Sequence, residues 1–218
     1  MTKLVVLVSG KKRSGKDTFA SLLIKRLHAY SAVSVERLMF AGPLKETCES
    51  AFTPMTQEIN ARTGIIGKLF GLHTNHDHWW DEKNIITRHI LQRVGTDICR
   101  SIDDEIWTKK TVARINASPA TVFVVTDWRF PNELVGLQKY FGGKIITIRI
   151  TRNSASMNKS LIAKFIAMFR KHDSTSAHIS ETALDSAHMD YEITNDRSLA
   201  ELDLEAVKLA SMVLSSRS

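Results

Sequence analysis

The stretch Gly10-Lys11-Lys12-Arg13-Ser14-Gly15-Lys16-Asp17-Thr18 holds the residue types and spacing best suited to chemistry. Two glycines four residues apart, followed by a lysine, let backbone N–H groups wrap phosphate oxygens while the lysine reaches the β- and γ-phosphates. A helix N-terminus behind such a loop adds a favourable dipole for the anion. The residues expected to hold ATP are Lys12, Arg13, Ser14, Gly15, Lys16, Asp17 and Thr18. Asp17 stands where a hydroxyl residue ordinarily follows the lysine, and Thr18 comes one place later, so magnesium contact is expected to be altered or carried by Asp17 through water. The plain alternative is a glycine-rich turn with a solvated basic cluster, and the flanking elements weigh against it.

Those elements must position the loop. Leu4-Val5-Val6-Leu7-Val8 lacks polar alternation, as a strand buried on both faces does, and Phe19, Leu22, Leu23 and Leu27 recur at helical spacing through about His28. Further strands are expected within 33–40, over 121–126, over 144–150 and over 189–194. Helices are expected after Gly42-Pro43, over 84–100, over 104–116, from Pro131 to the Gly142-Gly143 stop, and at the C-terminus through Leu199, Leu202, Val207, Leu209 and Val213. This alternation predicts an α/β doubly wound parallel sheet with helices on both faces and ligands at the carboxyl ends of the strands. The 218 residues read as a single domain with variable inserts at about 53–84 and, lid-like, at about 153–177.

Composition narrows the setting. Hydrophobic residues at 43% and charged residues at 24% exclude wholesale disorder, and no apolar run approaches the roughly 20 residues needed to cross a bilayer. Cys48 and Cys99 are too few for a disulfide scaffold, which suits a reducing compartment, so a cytoplasmic setting is expected. An excess of 30 Lys+Arg over 23 Asp+Glu favours anionic partners: nucleotides, nucleic acid or phosphorylated metabolites.

In chain order, the loop Ser9 to Thr18, then Ala41-Gly42-Pro43-Leu44-Lys45, Leu91-Gln92-Arg93-Val94-Gly95-Thr96-Asp97, Thr126-Asp127-Trp128-Arg129 with Glu133, His178-Ile179-Ser180-Glu181 and Ile193-Thr194-Asn195-Asp196 resemble stretches of the phage deoxynucleoside monophosphate kinases. In that family an aspartate also follows the loop lysine. The resemblance implies a P-loop NTPase-like fold and ATP-dependent phosphorylation of deoxynucleoside monophosphates to diphosphates for DNA precursor synthesis, with Mg2+ and ATP in the host cytoplasm. It also implies no stable nucleic-acid binding, no membrane association and a possible homodimer. Its monophosphate site falls on Lys45, Arg88, Gln92, Gly95, Thr96, Trp107, Arg129 and Glu133.

The residues themselves admit these roles. Asp127 ends a buried-looking strand, where it could organise magnesium-bound water or instead cap the helix opened by Pro131. Arg129 could meet a phosphate bidentately. Arg88 and Gln92 share a helix face, and Trp107 could stack on a base; a surface arginine and a core tryptophan are the plain readings. Arg149 and Arg152 introduce the lid-like segment, where arginines would neutralise transferring charge, which makes Lys16, Asp127, Arg129 and Arg152 the catalytic candidates. The apolar stripe within 159–171 is expected to pack on its own domain or a dimer mate. His73, His76 and His78 lack familiar zinc spacing. A related P-loop kinase of dephospho-coenzyme A or phosphomevalonate type, and a basic nucleic-acid-binding module with a vestigial loop, are the competing functions.

Overall fold

The computed structural model describes residues 3–30, 33–51, 90–152 and 182–216. The clusters of His73 to His78, the stripe within 159–171, the segment 178–181 and Arg88 lie outside the described residues. What is described divides into two compact units, one of Met1–Leu38 with Ile115–Ser218 and one of Met39–Arg114.

The first unit is built on five parallel strands in the order β2-β3-β1-β4-β5: β1 Leu4–Ser9, β2 Val35–Leu38, β3 Val122–Val125, β4 Ile145–Thr151 and β5 Tyr191–Thr194. β1 is central, with Val6 opposite Val124 on one side and opposite Ile146 on the other. Leu4, Val6, Val8, Val122, Val124, Ile146, Ile148 and Ile150 share a core with helix α1 (Lys16–His28) and the C-terminal helix (Leu199–Ser215). Val5, Leu7, Phe123 and Val125, on the other face, are also completely buried. Burial on both faces is why β1 shows no polar alternation. The arrangement is an α/β fold on a parallel sheet.

Because β3 and β4 flank β1 on opposite sides, the chain leaves β1 at the point where the winding reverses, and such a point opens a crevice beyond the carboxyl edge. The helix Pro131–Phe141 begins on proline at its first turn and ends at Gly142, whose φ of 57° takes the left-handed region, as expected. Arg26 on α1 holds Asp203 on the C-terminal helix, Nε donating to Oδ1 at 3.0 Å. That hydrogen bond, with the guanidinium charge, keeps the Asp203 carboxyl below the ordinary carboxylate range.

In the second unit, residues 41–51 and 90–92 are helical, Arg93–Cys99 forms a π-helix, and Arg100–Ile102 returns to α-helix. Apolar periodicity predicted an ordinary α-helix here, and the difference has a packing cause. A Cβ on Gly95 would lie 2.3 Å from Leu44 Cδ2, and the Gly95 carbonyl accepts from Trp107 Nε1 at 3.0 Å. A widened turn lets that carbonyl reach the tryptophan, a local feature that apolar spacing does not encode. Cys48 is buried, which pushes its thiol upward, with Cys99 adding to the shift, so neither geometry nor charge makes it a nucleophile. Among the described residues no helix is long and apolar enough to cross a membrane.

Candidate active site

Six residues separate the end of β1 from α1, and their backbone is folded into an unusual path. Arg13 takes a left-handed φ of 65° and Gly15 a φ of 91° at the N-cap of α1. Arg13 is not a glycine, so the loop holds a locally unfavourable conformation at a cost of order 1 kcal/mol or more, of the kind that clusters at ligand clamps. A Cβ on Gly10 would meet the Ile150 carbonyl at 2.6 Å, so the loop lies against the end of β4 as only glycine allows.

Ser14 sits within this turn, 3% exposed, its N–H donating to the Lys11 carbonyl at 3.1 Å. Its hydroxyl is buried and has no hydrogen-bond partner among the described residues. A buried hydroxyl left unmatched costs about 1–3 kcal/mol, and a bound oxyanion would satisfy it. Lys11, Lys12 and Arg13 are exposed around the loop, and Lys11 pairs with Asp185 at 2.9 Å. Lys16 opens α1; its side chain is only 15% exposed and lies 3.7 Å from Asp17 Oδ2. A lysine of this kind ordinarily faces solvent, so its stem here also contributes packing.

Asp17 is exposed and shares one partner with the end of β3. Arg37, on β2, approaches Asp17 Oδ1 at 3.2 Å and Thr126 Oγ1 at 3.4 Å through the same nitrogen. Parallel pairing of β2 with β3 makes this possible, since Leu38 lies opposite Val125 and the Thr126 N–H donates to the Leu38 carbonyl at 3.1 Å. Asp17 and the Thr126-Asp127 corner therefore border the same ground beyond the sheet edge. Magnesium bound with a nucleotide takes phosphate oxygens, water and one or two carboxylates, and Asp17 and Asp127 carry donors of that type. Arg37 was missed in the sequence; nothing in a lone arginine on a short strand marks it.

Asp127 does not cap the helix opened by Pro131. The N-cap is Phe130, and Glu133 does the capping: its Oε2 accepts from the Arg129 N–H at 3.0 Å and the Phe130 N–H at 3.1 Å. Glu133 is 1% exposed. A carboxylate so placed fixes the backbone at Arg129, next to the phosphate-side residues expected there. Arg129 itself is half-buried, and Trp128 beside it is buried with Nε1 donating to the Phe130 carbonyl at 2.9 Å. Arg152 is exposed just past β4. Arg149 is a structural clamp: it donates to the carbonyls of Leu184 and Ala187 and pairs with Glu192 at 2.7 Å.

In the second unit, Lys45, Gln92 and Thr96 are half-buried. Trp107 is 6% exposed with its indole N–H donating to the Gly95 carbonyl, and Leu44 packs closely on Gly95.

No family model matches the chain. No curated protein matches it either. Among solved structures, it is similar to the APS kinase of Mycobacterium tuberculosis in complex with AMPPNP and APS, at 14% identity and a TM-score of 0.46, covering 96% of this chain and 98% of that one. Others are a gluconokinase from Sinorhizobium meliloti, at 13% identity and a TM-score of 0.41 over 99% and 96% of the two chains, and the dephospho-CoA kinase from Campylobacter jejuni, at 16% identity and a TM-score of 0.42 over 97% of each.

Proposed function

We propose that this chain is an ATP-dependent kinase that phosphorylates deoxynucleoside monophosphates to diphosphates. The observation that carries the phosphate-transfer part is the loop after β1: left-handed Arg13 and Gly15, a buried Ser14 hydroxyl unmatched among the described residues, and Lys16 at the start of a 13-residue helix. Backbone N–H groups and the helix dipole there favour a polyphosphate. Magnesium would supply neutralisation of phosphate charge, held through water by Asp17 and Asp127. Lys16 draws charge from the transferring phosphoryl group, and Arg129 and Arg152 stabilise developing negative charge. No covalent enzyme intermediate is needed, because in-line attack by the acceptor phosphate oxygen completes the transfer.

The acceptor identity rests on the sequence resemblance, with Lys45, Arg88, Gln92, Gly95, Thr96, Trp107, Arg129 and Glu133 as monophosphate-side residues. The phosphate loop is indifferent to the acceptor, so dephospho-coenzyme A and phosphomevalonate belong in the same test. Purified protein is incubated with ATP and magnesium against a panel of deoxy- and ribonucleoside monophosphates and those two acceptors, and ADP release is followed. Turnover dependent on a deoxynucleoside monophosphate is the expected result. Turnover with another acceptor alone would overturn the substrate class, and salt-sensitive DNA binding without any turnover would favour a nucleic-acid-binding module.

A further inference from the structure

We infer that Asn195 is the positioning residue of the phosphate loop, locking its backbone from the far end of the chain. Asn195 follows β5 immediately, and its own N–H donates to the Thr151 carbonyl at 2.8 Å, which fixes its backbone to the end of β4. Its side-chain amide then donates to the Ser14 carbonyl at 2.9 Å across 181 residues of sequence. The contact is close enough to dictate the neighbouring residue: a Cβ on Gly15 would lie 2.1 Å from Asn195 Nδ2. Gly15 is therefore glycine for two reasons, its φ of 91° and the amide pressed against its Cα.

The Ser14 carbonyl and the Gly15 N–H belong to one peptide unit. Holding that carbonyl turns the peptide plane, and so sets the direction of the Gly15 N–H, one of the groups a loop of this kind aims at phosphate. The resemblance at Ile193-Thr194-Asn195-Asp196 gave Asn195 no role. The structure assigns it the task of pre-setting the loop, so that a polyphosphate binds without first having to organise it.

This inference rests on the phosphate-loop reading but not on the identity of the acceptor, and the test is built accordingly. Binding of Mg-ATP and of inorganic tripolyphosphate with magnesium is measured by calorimetry for the wild type, for Asn195→Ala and for Asn195→Leu, which matches asparagine in shape and cannot donate. Both substitutions are expected to weaken ATP and tripolyphosphate by the same factor, about tenfold, the worth of one well-formed hydrogen bond that orders the site. The melting temperature should fall by no more than about 4 °C. Agreement between the two variants guards against one of them failing to fold. Weakened ATP binding with unchanged tripolyphosphate binding would mean that Asn195 serves the base, and would overturn the inference. So would a large loss of melting temperature with both affinities unchanged. A wild-type chain that binds neither ligand would overturn the phosphate-loop reading itself, and this role with it.

Discussion

Two glycines, Gly15 in the first unit and Gly95 in the second, each stand where a Cβ would collide with a neighbour, yet for opposite reasons. Gly15 has a left-handed φ and faces a polar amide, Asn195 Nδ2, at the N-cap of a helix. Gly95 has no such φ, lies inside a helical segment and faces the methyl group of a buried leucine. The first arrangement shapes backbone for a ligand; the second lets two pieces of core approach. Gly15 lies between Ser14 and Lys16, and Gly95 is followed by Thr96 and Asp97, so residue type alone suggests a binding site twice. Backbone conformation and the nature of the opposing atom separate the cases.

The largest expected effect tests the ligand side of that contrast. Lys16→Met keeps the packed stem and removes the charge, and should reduce turnover roughly a thousandfold while the melting temperature changes little. Near-wild-type turnover in the folded variant would remove the phosphate loop from the chemistry. Arg129→Lys comes next: the charge stays but the fixed two-pronged donor is lost, and about a hundredfold, near 3 kcal/mol of transition-state stabilisation, should go with it. A sharp drop in melting temperature at unchanged specific activity would instead make Arg129 a structural partner of its own turn.

The packing side makes the opposite prediction. Gly95→Ala must displace Leu44, and overpacking of this kind costs about 1–3 kcal/mol, lowering the melting temperature by a few degrees for each kcal/mol while leaving ATP affinity alone. Gly15→Ala should show the reverse, a loss of ATP affinity larger than its loss of stability. If both glycine variants behave alike in calorimetry and melting, the distinction between them collapses.

The smallest effect concerns the helix pair that backs the loop. Asp203 is held below its ordinary range, chiefly by the Arg26 hydrogen bond, so its contribution is fully present above about pH 4, the unfolded value, and fades as acid protonates it through the lowered folded value. Asp203→Asn should therefore lower the melting temperature slightly at neutral pH, and wild type and variant should converge in strong acid. A difference that persists unchanged below that range would show that the pair's charge contributes nothing.

Much of the molecule could be read from local pattern. The strand, loop and helix around Gly10 to Lys16, the proline and glycine that bound the helix Pro131–Phe141, and the alternation of strands with helices all follow from dihedral preference and apolar spacing within a few residues. These are short-range effects, and the sequence by itself determined them. What only the tertiary structure decided involves residues far apart in the chain or a choice between equivalent local options. Asn195 reaches Ser14, and Arg37 bridges Asp17 and Thr126, only because parallel pairing puts the ends of β4 and β5, and of β2 and β3, side by side. Phe130 rather than Asp127 is the N-cap of the helix, and Glu133, buried, accepts from the Arg129 and Phe130 N–H groups. The π-helix at Gly95 depends on Leu44 and Trp107 arriving at one glycine from either side in sequence. Local preference sets which backbone shapes are cheap, and long-range pairing then selects which polar groups are brought within hydrogen-bond distance of one another.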